Sequence, residues 1–292
     1  MNKKKVKIIS ILLAIAIIIF GGVYVADLFL GYDAPEIKTI SDSNIKNTKD
    51  IKLTAHRGFS GVAPENTIAA FEKAAEFNFF AAECDVHLTK DGVWVIYHDD
   101  NIFRLTNGYK NIADATYDEL QEYVIDNGVN VEKYPNQKIP TLEEFLVVCK
   151  DMNIVPQIEI KNGSKEKLQE ILKLLDKYEL RENSIIISFN IEALKTIRKL
   201  DKNIEIWYLV EEITDTEINE CVNNNFALAF NHKKNSGDII KTANDKKIKL
   251  CAWTVDDLEK IEQLYNMGVK YITTNSVIYW YFPKTKISVN FV

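Results

Sequence analysis

The chain has 292 residues, 47% of them hydrophobic and 27% charged, with a formal net charge of −6; this is enough apolar material for one sizeable core, and nothing reads as low complexity or a short repeat. Lys3, Lys4, Lys5 and Lys7 against Asp27 give residues 1–30 a charge of +3, which leaves −9 for the remainder. An acidic body of this kind argues against nucleic acid as a partner.

The first element is apolar. From Val6 to Leu30 almost every residue is hydrophobic, behind the basic start MNKKKVK, and a helix needs roughly 20 such residues to cross a bilayer. The lysines are expected to stay cytoplasmic, which sends everything after residue 30 to the outer side. A cleaved signal peptide shares the basic start and apolar run, but the length of the run and the lack of a clear A-x-A site favour a retained anchor. The expected organisation is a basic tail and transmembrane helix over 1–30, a polar flexible tether over 31–50 and a folded domain over 51–292. This describes a single-pass cell-membrane protein with its domain extracellular. The four cysteines, Cys84, Cys149, Cys221 and Cys251, match no metal-binding C-x-x-C spacing; they read as buried small hydrophobes, with a disulfide left open.

From residue 51 onward short β-rich runs alternate with helix-spaced runs. The strand candidates are IKLTAH, FAAECDV, NIVPQIEI, SIIISF, IEIWYL, FALAF, IKLCAWTV and VKYITTN, which favours a parallel sheet in an α/β fold. One more β-like run, VWVIYHD, follows DVHLTKDG, and so short a turn demands an antiparallel hairpin beyond the second strand. Helical spacing fills the gaps, from TIAAFEKAAEF to DDLEKIEQLYNMG. Eight strands with helices between them over about 240 residues is the rhythm of a (β/α)8 TIM barrel, with a hairpin and insertion after strand 2. An open doubly wound sheet would carry a Gly-rich phosphate loop after its first strand, and none is present.

In such a barrel the reactive groups lie at the C-terminal strand ends. His56 ends the first strand, Glu83 and Asp85 the second, Glu159 and Lys161 the third. Residues two apart share a face, so Glu83 and Asp85 point together with Cys84 opposed, as do Gln157, Glu159 and Lys161 against Ile158 and Ile160. Three carboxylates buried together need a cation, since each unpaired ion loses several kcal/mol of solvation. A hard divalent ion, Ca²⁺ or Mg²⁺, suits the oxygen donors of Glu83, Asp85 and Glu159, and the lack of Cys or clustered His argues against structural zinc. Ion pairing with Lys161 and Arg57 is the competing explanation. His56 and His98 end strand segments beside this cluster and suit an acid-base pair. His87 is placed further up the hairpin and His232 at the rim. Arg57 and Lys161 add fixed positive charge of the kind a phosphodiester oxygen needs.

These residues resemble the glycerophosphodiester phosphodiesterases. The likeness runs through HRGFSGVAPENTIAAF, ECDVHLTKDGVWVIYHDD, IPTLEEF, QIEIK, ISFN, AWTVDD and YITTN, covering about residues 51–277, and its first two motifs are the specific ones. It implies a metal-dependent hydrolase that cuts a glycerophosphodiester, small or lipid-derived, into sn-glycerol 3-phosphate and an alcohol. It also implies His56 and His98 as acid and base, Glu83, Asp85 and Glu159 as metal ligands, and Arg57 and Lys161 at the phosphate. Trp253 would line the substrate side, with a core aromatic as its alternative, and Glu65 would orient Arg57 or help hold the metal's surroundings. The implied route is attack by the glycerol 2-hydroxyl, then opening of the cyclic phosphate by water.

The insertion from Asn101 to Lys138, with Tyr109, Tyr117, Tyr123 and Tyr134, falls where the family varies with head group, and reads equally as a packed lid. A phospholipase D-like relative that releases the cyclic phosphate, and an inactive surface-binding barrel, are the other readings; the latter would have lost one of the motif residues. The aromatic C-terminal run IYWYFPKTKISVNFV is expected to cap the barrel, or to rest at a membrane interface.

Overall fold

In the computed structural model, which describes residues 32–279, eight parallel strands close into a barrel. They are β2 (Lys52–Ala55), β3 (Ala81–Leu88), β5 (Val155–Ile160), β6 (Ile185–Ser188), β7 (Glu205–Val210), β8 (Ala227–Asn231), β9 (Leu250–Trp253) and β10 (Tyr271–Thr274). Pairing of β10 with β2 and of β2 with β3 seals the ring. All eight expected strands are present, and β4 (Trp94–Ile96) pairs antiparallel with the end of β3, Val86 opposite Ile96 and Leu88 opposite Trp94.

The helices are α1 (Ile68–Glu76), α2 (Tyr117–Leu120), α3 (Leu142–Asp151), α4 (Lys165–Lys177), α5 (Ile191–Leu200), α6 (Asp215–Asn224), α7 (Gly237–Asp245) and α8 (Leu258–Asn266). Their starts are written in the sequence. Thr67 accepts the Ala70 N–H at the head of α1, and Thr141 with Glu144 closes a reciprocal capping box on α3; such caps satisfy backbone donors that a helix leaves unpaired.

Strand alternation sorts side chains into two cores. Cys84, Val86, Ile158 and Ile160 face the helices, within the large outer core. Inside the ring, Ile187, Trp207, Leu209, Ala229 and Cys251 pack together, and the Trp207 and Tyr271 rings meet edge to face 4.9 Å apart. The barrel is filled at its waist, so only its ends can hold a ligand. All four cysteines are buried and unpaired, as small hydrophobes in the core.

The insertion after β4 has a core of its own, built on Tyr97, Ile102, Leu105, Ile112, Leu120 and Ile125. Tyr117 and Tyr123 pack against it, and Tyr134 packs against Ala63, Ala69 and Ala70. Tyr109 alone of the four tyrosines stays largely exposed, at 64%.

The stretch expected to be a flexible tether is docked instead. Tyr32 packs against the insertion core, and β1 (Lys38–Thr39) pairs with β11 (Val277–Ile278) in a small sheet outside the barrel. Ile40 is fully buried and Ile45 nearly so; polar neighbours in sequence masked these two apolar anchors. The expected transmembrane helix over 1–30 and the aromatic run from residue 280 lie outside the described residues. Among the described residues no helix is long and apolar enough to cross a membrane. Ile40→Ala is expected to lower stability by about 2–5 kcal/mol in chemical denaturation, the usual cost of emptying a buried aliphatic site; a free tether would give no change.

Candidate active site

The loop that leaves β2 is shaped to turn two side chains into the barrel mouth. The His56 N–H continues the ladder to the Thr274 carbonyl at 3.0 Å, and then Arg57 adopts a left-handed backbone, φ 55°. A non-glycine residue in that region costs on the order of 1–3 kcal/mol. The cost is offset, because the turn aims the Arg57 N–H at Glu83 Oε2, 2.7 Å away. Gly58 follows at φ +73°, where a Cβ would lie 2.7 Å from the backbone of Ala70; only glycine lets α1 approach so closely.

Register then assembles the acids. Asp85 of β3 lies directly opposite Glu159 of β5, and Glu83 opposite Gln157. Neighbouring strands run about 4.8 Å apart, so carboxylates on the inner face cannot avoid one another. Glu83, Asp85 and Glu159 are all buried and each offers an oxygen within 4.8 Å of the others.

Two cations reach into this cluster. Lys161 Nζ stands 2.5 Å from Glu159 Oε1 and 2.9 Å from Asp85 Oδ1, while Arg57 Nε lies 3.4 Å from Asp85 Oδ2. Asn66 also donates to Asp85 Oδ2 at 2.7 Å. Burial works against the Asp85 charge, but Lys161 and then Arg57 outweigh it and hold the carboxyl below its usual range. Glu83 has only the Arg57 N–H; burial, then Asp85 and Glu159, push it well above the usual range. Burial and the Asp85 charge push Glu159 up to about 7. When all three carboxyls are ionised they outnumber the two cations, one of which, Arg57, is shared with Glu65.

The histidines enter from two sides, each held by its own network. Asp256 is acceptor-only, and it takes the Asn275 side-chain amide N–H at 2.8 Å, so the Asn275 Oδ1 must face His56 Nδ1, 2.8 Å away. His56 therefore carries its proton on Nδ1, leaving Nε2 as a free acceptor, an assignment made from the hydrogen-bond network. Burial, then the nearby Arg57 charge, lowers the His56 pKa to about 4; the ring is neutral at pH 7. His98 binds Asp99 Oδ1 through Nδ1 at 2.6 Å, and Asp99 Oδ2 takes Arg104 Nε at 2.7 Å. Arg104 also grips Glu65 at 2.7 Å, and Glu65 in turn holds Arg57 at 2.8 Å.

His56, Arg57, Glu83, His98, Glu159, Lys161 and Trp253 line one cavity of about 190 Å³ at the C-terminal end of the barrel. Asp85 sits just behind it, and Glu65 stands at its edge as the brace between Arg57 and Arg104. The opposite wall is apolar: Ile187, Phe189, Leu209, Ala229 and Trp253, with the Phe189 and Trp253 rings 5.7 Å apart. Trp253 Nε1 and Arg57 Nε are buried donors with no hydrogen-bond partner among the described residues. Sequence reasoning missed Arg104, Asp99, Asn66, Asn275 and Asp256. Asp99, Asn66, Asn275 and Asp256 lay inside quoted motifs, whereas nothing near Arg104 in sequence marks it.

The donor set fits a hard divalent cation: three converging carboxylates, all oxygen, with a residual negative charge. The raised carboxyl pKa values mean that Glu159 and Glu83, without cation, bind more protons in the folded state than in the unfolded chain between about pH 4.5 and 7, so the contribution of these two groups to stability falls as pH rises through that window. A cation competes with those protons and reverses the loss. The rise in Tm on adding Ca²⁺ or Mg²⁺ is therefore expected to grow from pH 5 to pH 7.5 in thermal melts against chelator. An increment independent of pH would contradict it.

The profile of the "Glycerophosphoryl diester phosphodiesterase family" matches residues 56–278. A glycerophosphodiester phosphodiesterase of Caldanaerobacter subterraneus subsp. tengcongensis is 33% identical over 231 residues, spanning 76% of this chain and 93% of that protein. An Oleispira antarctica phosphodiesterase, solved in complex with the product sn-glycerol-3-phosphate, superposes with a TM-score of 0.72 at 27% identity, covering 77% of this chain and 93% of that one. A glycerophosphodiester phosphodiesterase from Thermotoga maritima superposes with a TM-score of 0.62 at 26% identity, covering 77% and 95%. The barrel with its acid cluster and two histidines belongs to the glycerophosphoryl diester phosphodiesterase family.

Proposed function

We propose that the protein hydrolyses a glycerophosphodiester to sn-glycerol 3-phosphate and an alcohol, with a divalent cation on Glu83, Asp85 and Glu159 and with His56 and His98 as base and acid. The observation that carries this reading is the meeting of both imidazoles with the acid cluster and Lys161 around one cavity. The Oleispira relative with sn-glycerol-3-phosphate in its structure supports the substrate class.

The roles follow from the networks. His56 is neutral at pH 7 and presents Nε2, so it takes the proton of the glycerol 2-hydroxyl as that oxygen attacks phosphorus. His98 presents Nε2 with Asp99 behind it, a carboxylate that compensates its charge while it carries a proton. The bond from phosphorus to the alcohol oxygen breaks, and His98 protonates the departing alcohol. Water then opens the cyclic phosphate, giving its proton to His98 while His56 returns one to the 2-oxygen. Arg57 and Lys161 face the phosphate oxygens and stabilise charge that builds on them. The cation, when bound, would add further positive charge to the same oxygens. The apolar wall with Phe189 and Trp253 excludes water from one flank.

We place the domain at the outer face of the cell membrane, held by residues 6–30, on the strength of the apolar run and the lysines before it. Turnover of a panel of glycerophosphodiesters with and without chelator, product by product in phosphorus NMR, tests the chemistry. Full-length protein is expected to lose activity in chelator, and His56→Ala and His98→Ala to lose about 10²–10⁴-fold in kcat. Metal-independent turnover, or an active His56→Ala protein, would refute the site. Accumulation of a cyclic phosphate as final product would move the reading to the phospholipase D-like alternative.

A further inference from the structure

The described N-terminal segment begins beside the mouth of the barrel. Tyr32, the first described residue, packs on the insertion core and its hydroxyl accepts from Arg104 Nη1 at 3.3 Å. Arg104 is the same residue that holds Asp99, the partner of His98, and Glu65, the partner of Arg57. From there the chain stays on the mouth side: the Lys38 N–H donates to the Ser276 carbonyl and its Nζ to the Asp256 carbonyl. The apolar run ends at Leu30, so Gly31 alone separates it from a residue fastened to the rim of the active site.

Reach turns this into an orientation. If the membrane span takes only the first ~20 residues from Val6, ending at Val25, six residues remain before Tyr32, and the chain from Val25 to Tyr32 extends at most about 25 Å. A domain of about 240 residues has a radius of gyration near 18 Å, hence a diameter of about 45 Å. The tether is too short for the far end of the barrel to meet the bilayer. The mouth carries the matching surface. Six large apolar side chains stay exposed among the described residues, and three of them, Phe103, Tyr109 and Phe189, lie at the mouth. Phe189 lines the catalytic cavity; Phe103 and Tyr109 line an adjoining groove that also contains His98 and Lys161, with their rings 6.3 Å apart. Aromatic rings of this kind settle at the head-group level of a bilayer.

We propose that the C-terminal face of the barrel is held against the outer bilayer surface, with Phe103 and Tyr109 in the head-group layer, so that the substrate enters from the membrane. The substrate class is then a glycerophosphodiester that resides in the bilayer, such as a lysophospholipid, in preference to one free in solution. This rests on the anchor and the activity proposed above, and its test reads position separately from turnover.

The full-length protein, reconstituted in vesicles of phosphatidylcholine and phosphatidylglycerol that contain quencher-bearing lipid, is labelled with a fluorophore at Phe103→Cys or at Lys247→Cys. Lys247 lies just before β9, at the opposite end of the barrel, and the four native cysteines are buried. Strong quenching at 103 and little at 247 is the expected result; equal quenching, the reverse order, or no quenching at either site overturns the orientation. In a second arm, about 20 Gly/Ser residues are inserted between Gly31 and Tyr32. Turnover of lysophospholipid in the same vesicles is expected to fall several-fold relative to the parent, while turnover of glycerophosphocholine from solution is unchanged. An insertion that leaves both rates unaltered overturns the membrane route. A parent that cleaves neither substrate refutes the proposed activity, and the quenching result stands apart from it.

Discussion

Everything at the mouth of this barrel answers to one constraint: three carboxylates forced together on the inner face of two adjacent strands. The pairing of Asp85 with Glu159 and of Glu83 with Gln157 leaves them no escape into solvent. Repulsion in a buried place would cost several kcal/mol per uncompensated charge. Lys161, Arg57 and Asn66 are the responses the chain itself supplies, and the cluster could hold a divalent cation as a further one. The left-handed backbone at Arg57 makes sense in these terms, because it delivers both a main-chain N–H to Glu83 and a guanidinium to Asp85.

Further contacts carry that order outward. Glu65 binds Arg57 and Arg104 together, and Arg104 passes the link to Asp99 and His98. On the other side Asp256 fixes the Asn275 amide, which fixes the His56 tautomer. The two histidines are thus set by unlike partners, a neutral amide on one side and a carboxylate on the other. In the proposed reaction that asymmetry separates base from acid, and it would be invisible in a comparison of the two motif histidines alone.

Much of the fold was legible in the sequence because local periodicity has a direct physical meaning. Strand alternation around Cys84, Ile158 and Ile160 gave the inner and outer faces, and the Lys-Asp-Gly turn forced the hairpin. The site residues at the strand ends were legible for the same reason. The docked segment was not. Ile40 and Ile45 are two apolar residues in a polar stretch, too few to set a period, and their burial depends on a groove formed by distant parts of the chain.

Residue types and spacing alone therefore pointed to the barrel and to the acid cluster, two histidines and two cations that meet at its mouth, since each follows from alternation and from the rule that strand ends carry the chemistry. Only the tertiary structure decided how these groups are held: the Asp85–Glu159 register, Arg104 reaching from the insertion to Glu65 and Asp99, Asn275 returning from the last barrel strand to His56, and Tyr32 fastened at the rim. These contacts join residues far apart in sequence, through side-chain directions that no local pattern encodes.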